Sequence, residues 1–382
     1  MKIAILIDWW NPPVFWWWQV HVQYLSDLLV KNHACKVDLF VRKLIGDDNK
    51  SYAKNETHLW WKLRIFRIGP MTRFFNTFWR VVSLMFTTFF LFYMALREQY
   101  DIIHAHAYVS WLPAKIVWFL LRIPVIYTVH GTMWLDAHRK GILAKIERWL
   151  ICGIRYNLEL SVSHKIFDYK NVNKNIMVMH NGVDIQKFEA ISVKSKYPGV
   201  TFLYVGRVDW QKWHKYLIEW LGMIDKSLLR EKWFMFNFVW DGELLPEIKE
   251  MSHSLWLDEF IRFKWKIFWD ELIEEYKKNT IFILPSLAEW QPLTVLEAFA
   301  SKLPVIATDV GDNIYFIKDD ENWYLVPSAD ARALKDVVEK VLHLDVPSYH
   351  HMWNNWYNLI VNNYTWDIVV AKIYEQYLSL VK

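Results

Sequence analysis

The chain has 382 residues, more than one ordinary hydrophobic core holds, so two domains are expected. Apolar residues make up 54% and charged residues 23%, with no low-complexity or like-charge block, which excludes a disordered or repetitive chain. A balance of 45 basic and 41 acidic residues is too even for a nucleic-acid partner, and two cysteines, Cys35 and Cys152, exclude a disulfide framework or a cysteine-based zinc site.

The opening MKIAILID is a short apolar run stopped by Asp8, with no small-residue cleavage site. It reads as a first buried strand rather than a signal peptide, and with so few cysteines the expected home is the cytoplasm, with the inner face of the membrane as a further possibility. Next comes the amphipathic QVHVQYLSDLLVK, then the apolar KVDLFV. The run VVSLMFTTFFLFYMAL, Val81 to Leu96, carries no charge and is flanked by Arg73, Arg80 and Arg97. It falls short of the roughly 20 residues of a membrane span. It reads as a buried helix, or as a helix lying in a membrane interface with its arginines toward anionic headgroups.

Beyond it, DIIHAHA, PVIYTVHG, LELSVS and NIMVMHNGVD continue an alternation of strand and helix that predicts a parallel sheet covered on both faces. A second series follows in VTFLYVGRVD, WFMFNFVWDG, FIRFKWK, TIFILPS and PVIATDV. The polar stretch from Ile185 to Pro198 lacks periodicity and predicts the boundary. The fold class is therefore α/β with two Rossmann-like, doubly wound domains. An N-terminal domain over 1–190 is completed by a C-terminal helix at about 361–382, and a second domain occupies 191–360.

Glycine is unusually scarce, 11 residues in the whole chain against 25 tryptophans. An α/β protein needs glycine at tight turns and wherever backbone approaches ligand. Tryptophan takes a positive φ only with strain.

The segment PSLAEWQPLTVLEAFASKLPVIATDVGD places Glu289 and Glu297 across a loop-to-helix transition after the strand TIFIL. The helix start offers backbone N–H groups from about Leu293 through Thr294 to Val295, with the positive end of the helix dipole behind them, which suits a diphosphate. Glu297 is placed to accept from ribose hydroxyls and Glu289 to reach a sugar; taken alone, two such glutamates also read as solvated helix charges. In YVGRVDWQKW, Gly206 closes a strand, and Arg207 and Lys212 follow closely enough to converge on one phosphate, or to be two surface cations on a turn. TVHGT puts His130 and Gly131 past another strand end, and HAHA adds His104 and His106. No Asp-x-Asp pair and no H-E-x-x-H occurs, so no metal is expected and the leaving charge falls to Arg207, Lys212 and helix N-termini.

These residues together resemble glycosyltransferase family 4, the "glycosyl transferases group 1": YVGR with Lys212, HNGVD from His180 to Asp184, the E-x7-E pattern, and the N-terminal IDWWNPPVFWWWQVHV. The resemblance covers nearly the whole chain. It implies a GT-B fold, with two Rossmann-like domains facing each other across a cleft, and a retaining, metal-independent transfer of sugar from a nucleotide-sugar donor to a glycan or lipid-linked acceptor. It assigns the donor diphosphate to Arg207 and Lys212, the ribose to Glu297, the transferred sugar to Glu289, and stabilisation of the oxocarbenium-like state to His130. Where the family has glycine this chain has Trp16 and Trp17 in the donor loop, and also Trp213, Trp240, Trp290 and Trp323. A GT-B-type sugar-nucleotide epimerase shares the architecture. A catalytically inactive nucleotide-sugar-binding or membrane-peripheral protein is the third possibility, since indoles in the donor loop would occupy phosphate space.

Overall fold

A computed structural model describes residues 1–8, 17–45, 51–52, 54–72, 77–132, 142–169, 171–193, 197–206, 214–239, 242, 244–265, 267, 270–317, 324–344 and 357–381. These form two compact units, Met1–Asn181 with Trp366–Lys382, and Gly182–Thr365.

The first unit runs β1 (Lys2–Leu6), α1 (Trp17–His33), β2 (Lys36–Ile45), β3 (Ser51–Tyr52), β4 (Glu56–His58), β5 (Leu63–Thr72), α2 (Thr77–Glu98), β6 (Ile102–His106), α3 (Ala107–Leu121), β7 (Val125–Val129), α4 (Ile142–Cys152), β8 (Leu158–Ser161) and β9 (Ile176–Val178). The sheet order is β4-β5-β2-β1-β6-β7-β8-β9, with β3 beside β2. β1 pairs in parallel with both β2 and β6, so the order reverses there. Helices cover both faces, which is why the strands are continuous apolar runs such as Ile3, Ala4 and Ile5, all fully buried. α1 turns Val22, Leu25 and Leu29 to the core at helical spacing. The C-terminal helix Trp366–Val381 lies against it, with Trp366 stacked on Tyr24 at 5.1 Å between ring centroids. At the amino end of β2 and β5, the Asp38 carboxylate accepts from Arg64 Nε and Nη2 at 2.7 and 2.6 Å and from the Tyr100 hydroxyl, far from the strand ends that carry the candidate site.

α2 departs from the buried-helix expectation. Leu91, Met94 and Ala95 face β5 and α3, yet Phe78, Val81, Met85, Phe86, Phe89 and Leu96 are more than half exposed. Phe78–Glu98 is long and apolar enough to cross a membrane by length and composition, although it packs along its own unit. The nearby arginines are mostly engaged. Arg67 is buried against Glu56 at 2.8 Å, Arg80 meets Asp8 at 2.7 Å, and Arg73 lies outside the described residues.

The second unit runs α5 (Ile185–Ala190), β10 (Thr201–Val205), α6 (His214–Met223), α7 (Lys226–Glu231), β11 (Met235–Val239), α8 (Leu245–Ser254), β12 (Ile261–Lys264), α9 (Asp270–Lys278), β13 (Ile281–Leu284), α10 (Leu293–Ala300), β14 (Val305–Thr308), α11 (Asn313–Phe316), β15 (Tyr324–Val326) and α12 (Ala331–Leu342). Its sheet is wholly parallel in the order β12-β11-β10-β13-β14-β15, the doubly wound arrangement, with β10 flanked by β11 and β13 at the reversal. Phe202, Phe236, Phe282, Ile306 and Trp220 fill its core.

Among the described residues four tryptophans stand in left-handed backbone: Trp60 at φ 57°, Trp61 at 67°, Trp233 at 51° and Trp256 at 58°. That conformation costs a residue with a Cβ about 1–2 kcal/mol. All four indoles are largely exposed, so packing returns little of it.

Candidate active site

In the second unit the site grows from the end of β13, where the chain must leave the sheet and re-enter it through α10. Ser286 is fixed first. Its N–H donates to Thr308 Oγ1 at 3.0 Å, and that hydroxyl donates back to the Ser286 carbonyl at 2.6 Å. So anchored, Ser286 Oγ donates to Glu289 Oε1 at 2.6 Å, which holds a nearly buried carboxylate at one angle. The loop is backed by Gly311, at φ 57°, where a Cβ would stand 2.4 Å from the Glu289 carbonyl oxygen. Next to it the Asp312 N–H donates to the Trp290 carbonyl at 2.8 Å. Any side chain at Gly311 would push the Glu289 loop off its seat.

α10 begins at Leu293 after Pro292, which offers no side-chain cap. The N–H groups of Leu293 and Thr294 precede the first intrahelical bond and carry the positive end of the helix. Val295 differs from expectation, since its N–H donates to the Pro292 carbonyl at 3.2 Å. One turn on, Glu297 Oε2 accepts from the Tyr276 hydroxyl of α9 at 2.8 Å. Burial raises the Glu297 carboxyl above the usual range, with the Tyr276 hydrogen bond and Lys187 pulling the other way. Glu289, the open end of α10 and, one turn on, Glu297 therefore all follow the carboxyl end of β13, a parallel strand beside the reversal of strand order, where ligands of such sheets bind. Gly206 ends β10 at the same edge, its N–H donating to the Val239 carbonyl at 3.3 Å. Arg207 and Lys212, next in sequence, lie outside the described residues.

The first unit has its own cluster at the reversal of its sheet. His104 and His106 lie on β6, His130 follows β7 and His21 comes from α1, and all four are buried. His104 is held from both sides, Nδ1 to the Tyr377 hydroxyl and Nε2 to Thr128 Oγ1, each at 2.6 Å. His106 Nδ1 and His130 Nε2 are 3.0 Å apart. His21 Nδ1 meets Asn181 Oδ1 at 2.8 Å, and its ring stands edge-on to His130 at 4.9 Å. Desolvation lowers the pKa of every ring, to about 4 for His21, and the neighbouring imidazoles add to it for the other three. Gly131 follows in a left-handed backbone.

Other predicted positions separate by role. Trp16 lies outside the described residues, and Trp17 opens α1 with its side chain outside them. In HNGVD the Asn181 amide positions His21, while Asp184 caps α5 by accepting from the Lys187 N–H at 3.0 Å. Sequence reasoning assigned nothing to Ser286, Thr308, Gly311, Tyr276 or His21. The one usable signal was Gly311, because glycine is so rare in this chain.

The family profile described as "Glycosyltransferase Family 4" matches residues 19–187, and the one described as "Glycosyl transferases group 1" matches 186–358. An Escherichia coli UDP-Gal:alpha-D-GlcNAc-diphosphoundecaprenol alpha-1,3-galactosyltransferase is 28% identical over 349 residues, spanning 82% of this chain and 87% of that protein. Among solved structures, sucrose-phosphate synthase from Thermosynechococcus elongatus superposes with a TM-score of 0.81 at 19% identity, covering 99% of this chain and 98% of its own. Anabaena HepE in complex with UDP and glucose follows at 0.75 and 14%, covering 99% and 100%.

The four buried imidazoles make stability depend on pH. Their folded pKa values lie below the unfolded value of 6.5, so the unfolded chain binds more protons and stability falls as pH drops through 6.5, for His21 until about pH 4. Each neutral ring contributes about 1.4 kcal/mol per pH unit in that window. The melting temperature is expected to fall between about pH 7.5 and pH 5.5, the four imidazoles outweighing Glu159, whose carboxyl burial pushes up to about 8 and which pulls the other way. An unchanged or rising value over that range would contradict the neutral cluster.

Proposed function

Because the chain belongs to the GT-B glycosyltransferases of group 1 and family 4, we propose that it moves a sugar from a nucleoside-diphosphate sugar to an acceptor hydroxyl, with retention and without a metal ion. The observation that supports this is that a Glu289 held by Ser286, an uncapped start of α10 and Glu297 one turn on all follow one strand end. The Escherichia coli relative is named for a UDP-sugar donor and a diphosphoundecaprenol acceptor, and HepE holds UDP and glucose. Both support a nucleotide donor, and the first supports a lipid-linked acceptor.

On this reading the donor diphosphate lies at the start of α10 against the N–H groups of Leu293 and Thr294, with Arg207 and Lys212 adding charge from the loop after β10. Glu297 accepts from the ribose hydroxyls. Glu289, held by Ser286, accepts from hydroxyls of the transferred sugar. The bond between the anomeric carbon and the leaving phosphate oxygen breaks while positive charge builds on the ring, and His130 stabilises that state. The acceptor hydroxyl attacks on the face the phosphate leaves, and its proton passes to a phosphate oxygen. Retention follows without a covalent nucleophile.

Arg207→Ala and Lys212→Ala should each lower turnover about 10²- to 10³-fold, the usual result of removing one stabiliser of developing charge. The assay is acceptor-dependent release of nucleoside diphosphate, run with and without EDTA. Near-full activity in both variants, or loss in EDTA restored only by Mg²⁺ or Mn²⁺, would contradict the assignment. Release that needs no acceptor would point to an epimerase.

A lipid-linked acceptor fits a protein that works at the inner face of a membrane, and the exposed apolar side of α2 with Phe119 and Leu120 of α3 supplies a surface for it. With Arg67 and Arg80 paired to carboxylates, binding rests on apolar insertion more than on charge. The protein should therefore float with zwitterionic as well as anionic vesicles, at low and high salt, and Phe86→Glu with Phe89→Glu should abolish flotation. Flotation only with anionic vesicles at low salt would assign the contact to charge, and none at all would remove the membrane from the account.

A further inference from the structure

The Tyr276 ring of α9 is fully buried, packed against Phe188 of α5 and Phe282 of β13 at 6.3 and 5.6 Å between centroids. A phenol shut into such a core needs an acceptor for its O–H, because a buried donor left unmatched costs more than a matched one gains. The acceptor is Glu297 Oε2 at 2.8 Å, on the other helix that flanks β13 in the chain. Glu297 sits one turn into α10 and is only partly buried. A glutamate side chain turns about several bonds, and at a helix surface that freedom is ordinarily lost only when a ligand binds. Here the side chain ends on a hydroxyl that the core holds still. One carboxylate oxygen is thereby committed to the fold, and the angle of the other is set before any ligand arrives. An ionised carboxylate also accepts this bond more strongly than a neutral one, so Tyr276 favours the acceptor-only form of Glu297 against the burial that opposes it.

We infer that Tyr276 is a positioning residue, which by donating to Glu297 Oε2 makes that carboxylate select nucleotides carrying ribose hydroxyls. Only the role of Glu297 as the ribose partner rests on the function proposed above. Calorimetry should compare uridine, guanosine or adenosine diphosphate, whichever the wild type binds most tightly, with its 2′,3′-dideoxy analogue, which has no ribose hydroxyl to donate. The wild type should prefer the hydroxylated ligand about 10- to 10²-fold, the size of a hydrogen bond to a charged group. Tyr276→Phe should weaken that ligand about tenfold and leave the dideoxy analogue unchanged, so that the preference shrinks. A merely structural tyrosine would weaken both alike; that result, or an undiminished preference, overturns the inference and leaves the nucleotide site in place. No binding of any of the three diphosphates by the wild type overturns the nucleotide site and the inference with it. If Tyr276→Phe does not fold, Glu297→Ala with Tyr276→Phe removes both partners and leaves neither unpaired. That double variant should bind the diphosphate as Glu297→Ala alone does, and a further loss would overturn the inference.

Trp60, Trp61, Trp233 and Trp256 hold left-handed backbone with 93, 77, 72 and 78% of their surface exposed. Glycine takes that conformation freely, and four exposed indoles gain nothing there that would explain them. Trp366 is different, buried in its core and stacked on Tyr24. We infer that these four turns are built for glycine, and that the ribosomes of the source cell place it there. The codon UGA, read as tryptophan in some genetic codes and as glycine in others, would produce both an excess of tryptophan and a shortage of glycine. Peptide mass spectrometry of the protein from its source should find glycine at all four positions and tryptophan at 366. Tryptophan at any of the four overturns this. A recombinant chain with Trp60→Gly, Trp61→Gly, Trp233→Gly and Trp256→Gly should melt higher than the sequence as given, and an equal or lower melting point would also overturn it.

Discussion

A parallel strand cannot turn straight back on its neighbour, and this constraint organises both units. Such a strand leaves the sheet at its carboxyl end and returns by a crossover, through a helix each time in the second unit and in the first also through the antiparallel β3 and β4. Where the strand order reverses, adjacent crossovers go to opposite faces and leave that edge uncovered. In the first unit the reversal lies between β1 and β6, in the second between β10 and β13. His106 and His130 stand at the first edge, Gly206, Glu289 and the start of α10 at the second. Nothing in the residues themselves requires this convergence; the winding of the sheet produces it.

What the two edges do chemically follows from how their polar groups are satisfied. Around β13 the groups form a chain of donors and acceptors, Thr308 to Ser286 to Glu289, and separately Tyr276 to Glu297. A carboxylate held this way keeps its angle before ligand arrives, so little ordering remains at the moment of binding. Around β6 and β7 the groups are imidazoles whose pKa values desolvation lowers, with no carboxylate among their hydrogen-bond partners in the described residues to offset it. One edge presents a fixed carboxylate and an uncapped helix start; the other presents neutral imidazoles.

Much of this was legible in the sequence. Continuous apolar strands alternating with amphipathic helices identified doubly wound sheets, and the spacing of Glu289 and Glu297 marked the loop and helix start that follow β13. Contacts between residues remote in sequence were not legible. Thr308 stands 22 residues from Ser286, Asn181 stands 160 from His21, and Gly311 matters because of the carbonyl it faces rather than because of its neighbours in the chain. The apolar run in α2 misled for a related reason. Hydropathy reports that a helix is apolar all round, and only the packing shows that one side, with Phe86 and Phe89, is left uncovered. Arg80 looked available for headgroups until its partner Asp8 came into place.

If the edge of β13 receives a nucleoside diphosphate, that ligand should stabilise the folded protein. Thermal melting of the protein with uridine, guanosine, adenosine and thymidine diphosphates tests it without any knowledge of sugar or acceptor. A ligand that binds only the folded state stabilises it by about 2.7 kcal/mol at a hundred times its Kd. The expected result is a concentration-dependent rise in melting temperature with at least one of them, uridine diphosphate first, and a smaller rise in Glu297→Ala. No shift with any nucleotide at millimolar concentration, in a protein that melts cooperatively, would contradict it.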